Sequence, residues 1–149
     1  MDELEKVRGQ ALGKKADPAY LEKFPIKGCE ELMIPTRGGN ALVHLYRPQA
    51  LTSPLPAVIN FHGGGFVKGY RGRDIEFSQM IASRGTYLVF DVDYKVAPEY
   101  PYPCALEEGE DVVTYLLAHM ADYDGDRNRT APMGDSPSAE LRHLLLSTL

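Results

Sequence analysis

A glycine-rich segment in the first half of the chain has the residue types needed to stabilise negative charge on oxygen. Residues 62–66 read His-Gly-Gly-Gly-Phe and directly follow the apolar run 57–61, which predicts a buried strand. Because glycine has no side chain, the backbone N–H groups of Gly63, Gly64 and Gly65 can approach a developing oxyanion and donate hydrogen bonds to it. This segment therefore predicts an oxyanion-binding loop at a strand end.

A serine further along the chain provides a candidate nucleophile. Residues 133–138 read Met-Gly-Asp-Ser-Pro-Ser, so that Ser136 lies among small residues, as a serine in a tight strand-to-helix turn must. Gly134 supplies the small residue two positions before it, and Asp135, like His62, is a candidate for shaping the site. A serine that can attack a carbonyl and a loop that can hold the resulting oxyanion together indicate acyl transfer.

Both segments also have purely structural interpretations. The glycine segment could be a tight turn under a helix, or a phosphate cradle, although no Gly-Lys-Ser/Thr follows it. His62 is better interpreted as a hydrogen-bonding residue that shapes the loop than as a catalytic base. Pro137 has no N–H with which to bind an oxyanion, and it suits the first position of a helix that Ser136 would cap. These alternatives stay open at the level of sequence.

Composition and charge restrict the class of protein. The 149 residues include 44% hydrophobic and 25% charged residues, which is typical of one soluble globular domain, and the net charge of −5 argues against a nucleic-acid surface. No apolar run approaches the ~18 residues of a membrane-spanning helix, and the charged N-terminus lacks the apolar core of a signal peptide. Cys29 and Cys104 are expected to be reduced, which favours a cytoplasmic location. We expect no cofactor and no metal.

The elements that must position these residues alternate along the chain. A hairpin is predicted over 30–46. Pro132 falls inside a later predicted strand, where proline is unusual because it removes a ladder hydrogen bond. The order of strands and helices implies parallel pairing with helices on both faces. The predicted fold class is α/β, with a mostly parallel sheet of about five strands and an N-terminal β-hairpin. Hydrophobic periodicity predicts helices over 2–15, 73–84, 104–120 and 137–149, a helical turn from Asp17, and strands over 57–61, 86–92 and 129–133.

Three blocks in a fixed order resemble the motifs of a known family. Residues 62–66, 93–99 (Asp-Tyr-Lys-Val-Ala-Pro-Glu) and 134–136 (Gly-Asp-Ser) are similar to the motifs H-G-G-G, D-Y-R-L-A-P-E and G-D-S-A-G. These motifs occur in the hormone-sensitive-lipase-like carboxylesterases, which have the α/β-hydrolase fold. The resemblance covers roughly residues 28–146, and three ordered blocks are more specific than any one of them.

The resemblance implies a division of the chain and a role for each site residue. Residues 1–27 would be a cap-like helical segment, and residues 28–149 the N-terminal part of an α/β-hydrolase domain. Ser136 would be the nucleophile of a carboxylic-ester hydrolase that acts on small acyl esters. The oxyanion hole would be formed by Gly63, Gly64 and Gly65, and the site shaped by His62, Gly134 and Asp135.

The family places its triad aspartate and histidine on later strands, and the chain offers no substitute for them. Thirteen residues follow Ser136, and His143 would lie about 10 Å from it along one helix, whereas proton transfer needs about 3 Å. We therefore expect negligible esterase turnover from this chain alone. Its expected partners are a complementing C-terminal half, or another copy bound at the exposed edge of the strand before Ser136. The alternative is a non-catalytic decayed paralogue or a ligand-binding module on the hydrolase scaffold.

Overall fold

The computed structural model describes residues 3–12, 15–50, 52–134 and 143. A 3-10 turn, Met120–Tyr123, connects the last described long helix to the last strand. None of the described helices combines the length and the apolar composition that a bilayer crossing requires. The elements in chain order are α1 (Glu3–Leu12), α2 (Pro18–Leu21), β1 (Gly28–Thr36), β2 (Gly39–Arg47), β3 (Leu55–Phe61), α3 (Gly72–Gly85), β4 (Leu88–Asp93), α4 (Cys104–His119) and β5 (Gly125–Gly134).

The five strands form one sheet in the order β1-β2-β4-β3-β5. Strands β4, β3 and β5 are mutually parallel and are connected through α3 and α4, whereas β1 pairs antiparallel with β2 and β2 antiparallel with β4. The predicted α/β class, the five strands and the N-terminal hairpin are confirmed. The sheet is mixed and not purely parallel, because the hairpin joins β4 in the antiparallel sense.

Helices cover both faces of the sheet, as the strand–helix alternation predicts. Strand β4 is buried along most of its length, and its alternate side chains face opposite helices. Phe90 belongs to the apolar cluster that contains the buried residues of α4, whereas Val89 packs with Ala82 of α3. The polar Asp91 also faces α3, where Ser78 donates a hydrogen bond to it. The central strand therefore has an apolar face and a face that includes a buried carboxyl group.

Most element boundaries lie within a few residues of the predicted ones. The hairpin turn consists of Arg37 and Gly38, and the face of β2 that enters the main core carries Ala41, Val43 and Leu45. The helical turn begins at Pro18, and the carboxylate of Asp17 caps it by accepting a hydrogen bond from the N–H of Ala19. The strand predicted from residue 86 begins at Leu88, because Thr86 adopts a left-handed conformation (φ 55°) after α3. The helix predicted over 137–149 lies outside the described residues, except for His143, which is helical.

Strand β5 is the edge of the described sheet, as expected for the strand that leads to Ser136. It runs through Pro132, which is paired with Ile59 of β3. Proline removes a ladder donor, and sheets tolerate it mainly in edge strands. The position of β5 at an edge explains how this strand accommodates proline.

Gly125, the first residue of β5, lies against the buried side chains of Met120 and Leu88. A methyl group added at Gly125 would lie 2.6 Å from Met120 Sδ and 3.1 Å from Leu88 Cδ1. Since both neighbours are buried, we expect Gly125→Ala to lower the free energy of unfolding by about 1–3 kcal/mol. Urea denaturation measures this change. Gly28→Ala is the control, because no atom lies within 4 Å of its added methyl group, and equal losses in the two variants would contradict the prediction.

Candidate active site

The glycine loop, residues 62–68, leaves the C-terminal end of β3. Its backbone passes through positive φ at Gly64 (139°), Gly65 (62°) and Phe66 (61°). At Gly64 there is also no room for a side chain, because a methyl group would lie 2.7 Å from Lys68 Cβ. The conformation of the loop therefore requires glycine at position 64 for both dihedral and steric reasons.

Five carbonyl groups of the glycine loop accept hydrogen bonds from within the protein. Two of the donors are arginine side chains, and one is the hydroxyl group of a buried tyrosine. The remaining donors are backbone N–H groups and, at the carbonyl of Gly63, Nδ1 of His62. The carbonyl of His62 accepts from Tyr94 Oη (2.6 Å), that of Gly63 from Arg71 Nη2 (2.9 Å), that of Gly64 from the N–H groups of Val67 and Lys68 (3.1 and 3.0 Å), that of Phe66 from the N–H of Ala97 (2.7 Å) and that of Val67 from Arg8 Nε (3.1 Å).

The N–H groups at the start of the loop are in the opposite situation. Within the described part of the chain, the N–H groups of Gly63, Gly64 and Gly65 donate to no acceptor. Backbone donors that are held in place by their neighbours and are not used internally can bind a negatively charged oxygen without reorganisation. An oxyanion-binding role for these three residues stays a prediction.

His62 opens the loop and is almost fully buried, with 2% of its surface exposed. Its ring stacks on Tyr94 at 4.3 Å between centroids, and Nδ1 lies 3.0 Å from the carbonyl oxygen of Gly63. Because a carbonyl only accepts, Nδ1 carries the proton, and burial lowers the pKa of His62 so that the ring is neutral. These contacts agree with a histidine that shapes the loop.

A buried carboxyl group, Asp91, lies below the loop and connects four segments of the fold. Its oxygens accept hydrogen bonds from Asn60 Nδ2 (2.9 Å), Tyr70 Oη (2.8 Å) and Ser78 Oγ (2.6 Å). Burial raises the pKa of Asp91 to about 7, and the three hydrogen bonds oppose that rise. The sequence alone does not identify these partners of Asp91. A polar Asn60 inside an apolar strand was the available signal.

The ends of β3 and β5 meet beside the glycine loop. Phe61, the residue before His62, is paired with Gly134, which is two residues before Ser136. Paired strands lie about 4.8 Å apart, so the glycine loop and the chain entering the predicted nucleophile turn start from neighbouring positions. A cavity of about 410 Å³ borders both strand ends, and its lining includes Gly63 and Gly134. Asp135 and Ser136 themselves lie outside the described residues.

The sequence and fold match a family of known proteins. Residues 58–148 match the model of a family described as having the alpha/beta hydrolase fold. The chain belongs to the α/β-hydrolase family. This result confirms the relationship that the three sequence blocks indicated.

The α/β-hydrolases that this chain is similar to include several esterases. The carboxylesterase NlhH of Mycobacterium tuberculosis is 30% identical over 99 residues, which are 66% of this chain and 31% of that protein. An esterase from Pyrobaculum calidifontis superposes with a TM-score of 0.85 at 30% identity, covering 99% of this chain and 48% of its own. The carboxylesterase EstE1, from a metagenomic library, gives a TM-score of 0.81 at 28% identity and covers 95% and 48%. The chain thus spans less than half the length of these relatives.

The three histidines outside the glycine loop stack on tyrosines or lie on the surface. His44 stacks on Tyr70 at 4.4 Å between ring centroids. His119 stacks on Tyr115, and its Nδ1 lies 2.8 Å from the carbonyl oxygen of that residue. His143 is exposed on a helix. Cys29 is exposed and Cys104 is partly buried, and both are free thiols.

The hydroxyl group of Tyr94 is expected to stabilise the glycine loop measurably. Tyr94→Phe would remove the 2.6 Å hydrogen bond to the buried carbonyl of His62 and leave that carbonyl unsatisfied. We expect the free energy of unfolding to fall by about 1–3 kcal/mol, measured by chemical denaturation. Tyr102→Phe is the matched control, because Tyr102 is 83% exposed. A loss in Tyr94→Phe no larger than in this control would contradict the prediction.

Proposed function

We propose that this chain carries the oxyanion loop and the nucleophile of a carboxylic-ester hydrolase that acts on small acyl esters. The observation that carries this proposal is that, among the described residues, the N–H groups of Gly63, Gly64 and Gly65 donate to no acceptor and lie beside the paired ends of β3 and β5. Residues 28–149 would be the N-terminal part of the hydrolase domain, and residues 1–27 would be a cap-like segment. The similarity to esterases of known structure supports the same class of reaction.

The proposed reaction is acyl transfer through the hydroxyl group of Ser136. Ser136 Oγ would attack the ester carbonyl carbon while a base takes its proton, and the carbonyl oxygen would become an oxyanion bound by the glycine loop. Collapse of this intermediate would break the bond to the alcohol, which leaves with a proton. Water would then hydrolyse the acyl-serine and release the acid. Pro137 has no N–H to donate, so the glycine loop would supply the backbone donors.

The base and the acid of the triad are proposed to come from outside these 149 residues. His44 is stacked on Tyr70 and His119 on Tyr115, and His143 is exposed on a helix. His62 is buried with its proton directed at a carbonyl of its own loop. If the triad base lies outside these 149 residues, the Ser136 hydroxyl stays a weak nucleophile, so the chain alone is expected to be inactive or nearly so.

A non-catalytic function is the second candidate, and Pro137 is the observation that favours it. A proline directly after the serine removes one expected donor and suits the start of a helix that Ser136 would cap. In that case the cavity of about 410 Å³ beside the glycine loop would bind a small ligand without converting it. Neither a ligand-binding module of this kind nor a decayed paralogue would react with probes that label activated serines.

Labelling with a fluorophosphonate, which reacts with activated serines, tests the proposal. The chain is incubated with the probe in two samples, one without and one with the C-terminal half of the Pyrobaculum calidifontis esterase. This chain covers 48% of that esterase, and the added half supplies the remainder. We expect labelling only in the complemented sample, lost in Ser136→Ala and kept in the matched control Ser138→Ala. A complemented sample that binds both halves and still shows no labelling would contradict the enzyme and favour the non-catalytic function.

A further inference from the structure

Arg8, in helix α1, makes contacts that reach far along the sequence. Its guanidinium group donates from Nε to the carbonyl oxygen of Val67 (3.1 Å) and from Nη2 to that of Ala97 (2.6 Å). Nη1 and Nη2 also donate to the two carboxylate oxygens of Glu99, the latter at 2.7 Å. One side chain therefore connects the N-terminal helix, the glycine loop and the segment that carries the Asp-Tyr-Lys-Val-Ala-Pro-Glu block.

The two segments that Arg8 bridges are also bonded to each other. The N–H of Ala97 donates to the carbonyl of Phe66 at 2.7 Å, next to the carbonyl of Val67 that Arg8 holds. The end of the glycine loop is thus fixed by a backbone hydrogen bond and by the guanidinium group on either side of it. Because Gly64 accepts from the N–H of Val67, a shift at Val67 is passed directly to the start of the loop.

We propose that Arg8 is a positioning residue for the oxyanion loop, through which helix α1 sets the direction of the N–H groups of Gly63, Gly64 and Gly65. This inference rests on the proposed function for its role in catalysis, but the geometric effect can be observed without any turnover. Helix α1 then acts as a clamp on the loop in addition to any role in covering the site.

The chemistry of the guanidinium group explains why arginine is suited to this position. Its planar fork can bind a carboxylate with two parallel hydrogen bonds and still direct other N–H groups at two carbonyls, whereas a lysine ammonium is a single point of charge. The hydrogen bonds from Arg8 lower the pKa of Glu99 to about 2, so that the ion pair stays intact at neutral and mildly acidic pH. Charge and geometry both contribute to the clamp.

A second arginine in the chain provides a matched control. Arg37 also binds an acidic side chain through two nitrogens, with Nε 3.0 Å from Asp111 Oδ2 and Nη2 2.7 Å from Asp111 Oδ1. It lies in the hairpin turn and contacts no residue of the glycine loop. Loss of Arg37 removes a comparable ion pair without touching the proposed clamp.

Nuclear magnetic resonance of the ¹⁵N-labelled 149-residue chain tests the inference. Three bonded amides, those of Val67, Lys68 and Ala97, report on the loop through their hydrogen-exchange rates, and the resonances of Gly63, Gly64 and Gly65 report on its direction. In Arg8→Ala we expect these three amides to exchange about tenfold faster and the glycine resonances to move. Arg8→Lys should behave in nearly the same way, and Arg37→Ala should leave both readouts unchanged.

Several results would overturn the clamp. Wild-type exchange at the three amides in Arg8→Ala would do so, as would wild-type behaviour of Arg8→Lys, or an equal effect of Arg37→Ala. A uniform rise in the hydrogen-exchange rates of the β3 and β4 amides would indicate a global loss of stability instead. If Arg8→Ala does not fold, Glu99→Gln weakens only the ionic arm and should give a smaller rise at the same amides. Absence of fluorophosphonate labelling at Ser136 would contradict the proposed function and leave this result unaffected.

Discussion

Replacing Asp91 with asparagine is expected to change how the stability of the protein depends on pH. The buried carboxyl group has a pKa of about 7, above its ordinary value of 3.8. The folded state holds this proton more tightly than the unfolded state does. Its contribution to the free energy of unfolding is therefore fully present below pH 4 and is lost as the pH rises through 7. A difference of about three pH units, worth about 1.4 kcal/mol each, corresponds to about 4 kcal/mol. An asparagine amide does not titrate and cannot show this loss.

Urea denaturation of the wild type and of Asp91→Asn from pH 4 to pH 9 measures this effect. The wild type should exceed the variant most at the acidic end, where its protonated carboxyl group is bonded to Asn60, Tyr70 and Ser78. The gap should shrink by a few kcal/mol toward pH 9. Asp93→Asn is the control, because Asp93 lies on the same strand but is partly exposed. Parallel stability curves for the wild type and Asp91→Asn would refute the prediction.

The sequence predicts local features of this fold well because they depend on neighbouring residues. The period of apolar residues located α3 and α4, and three glycines after an apolar strand located the loop. The sense in which the hairpin joins β4 was not predicted, because it depends on tertiary pairing. The true start of β4 at Leu88 also depends on pairing, since the β-branched Thr86 fits a strand pattern equally well.

The long-range contacts that hold the candidate site in place could not be predicted from the sequence. Asp91 gains its partners from β3, from α3 and from the loop before it, so that no single segment contains the cluster. Arg8 lies in a helix whose apolar positions were the basis of the prediction, and its partners are 59 or more residues away. Charged and polar residues at long range leave no periodic pattern. Such contacts have to be observed in the fold.

Replacement of Gly64 by alanine is expected to have the largest effect on the proposed chemistry. The added methyl group would lie 2.7 Å from Lys68 Cβ and 3.0 Å from the carbonyl oxygen of Lys68, and the φ of 139° is unfavourable for alanine. The loop must therefore move, and its N–H groups move with it. Loss of a single oxyanion donor costs about 10²–10³ in rate. We expect a decrease of that size in the rate at which Ser136 is labelled by a fluorophosphonate in the complemented sample.

Gly65→Ala separates the position of the donors from backbone strain in general. The φ of Gly65 is 62°, where alanine is disfavoured by about 1–2 kcal/mol, but no atom lies within 4 Å of the added methyl group. This variant should lose stability while the loop keeps its path and most of its labelling rate. Equal rate losses in Gly64→Ala and Gly65→Ala would mean that strain alone accounts for the effect. A loss confined to Gly64→Ala would tie the reactivity of Ser136 to the direction of the loop N–H groups, which is the central element of the proposed mechanism.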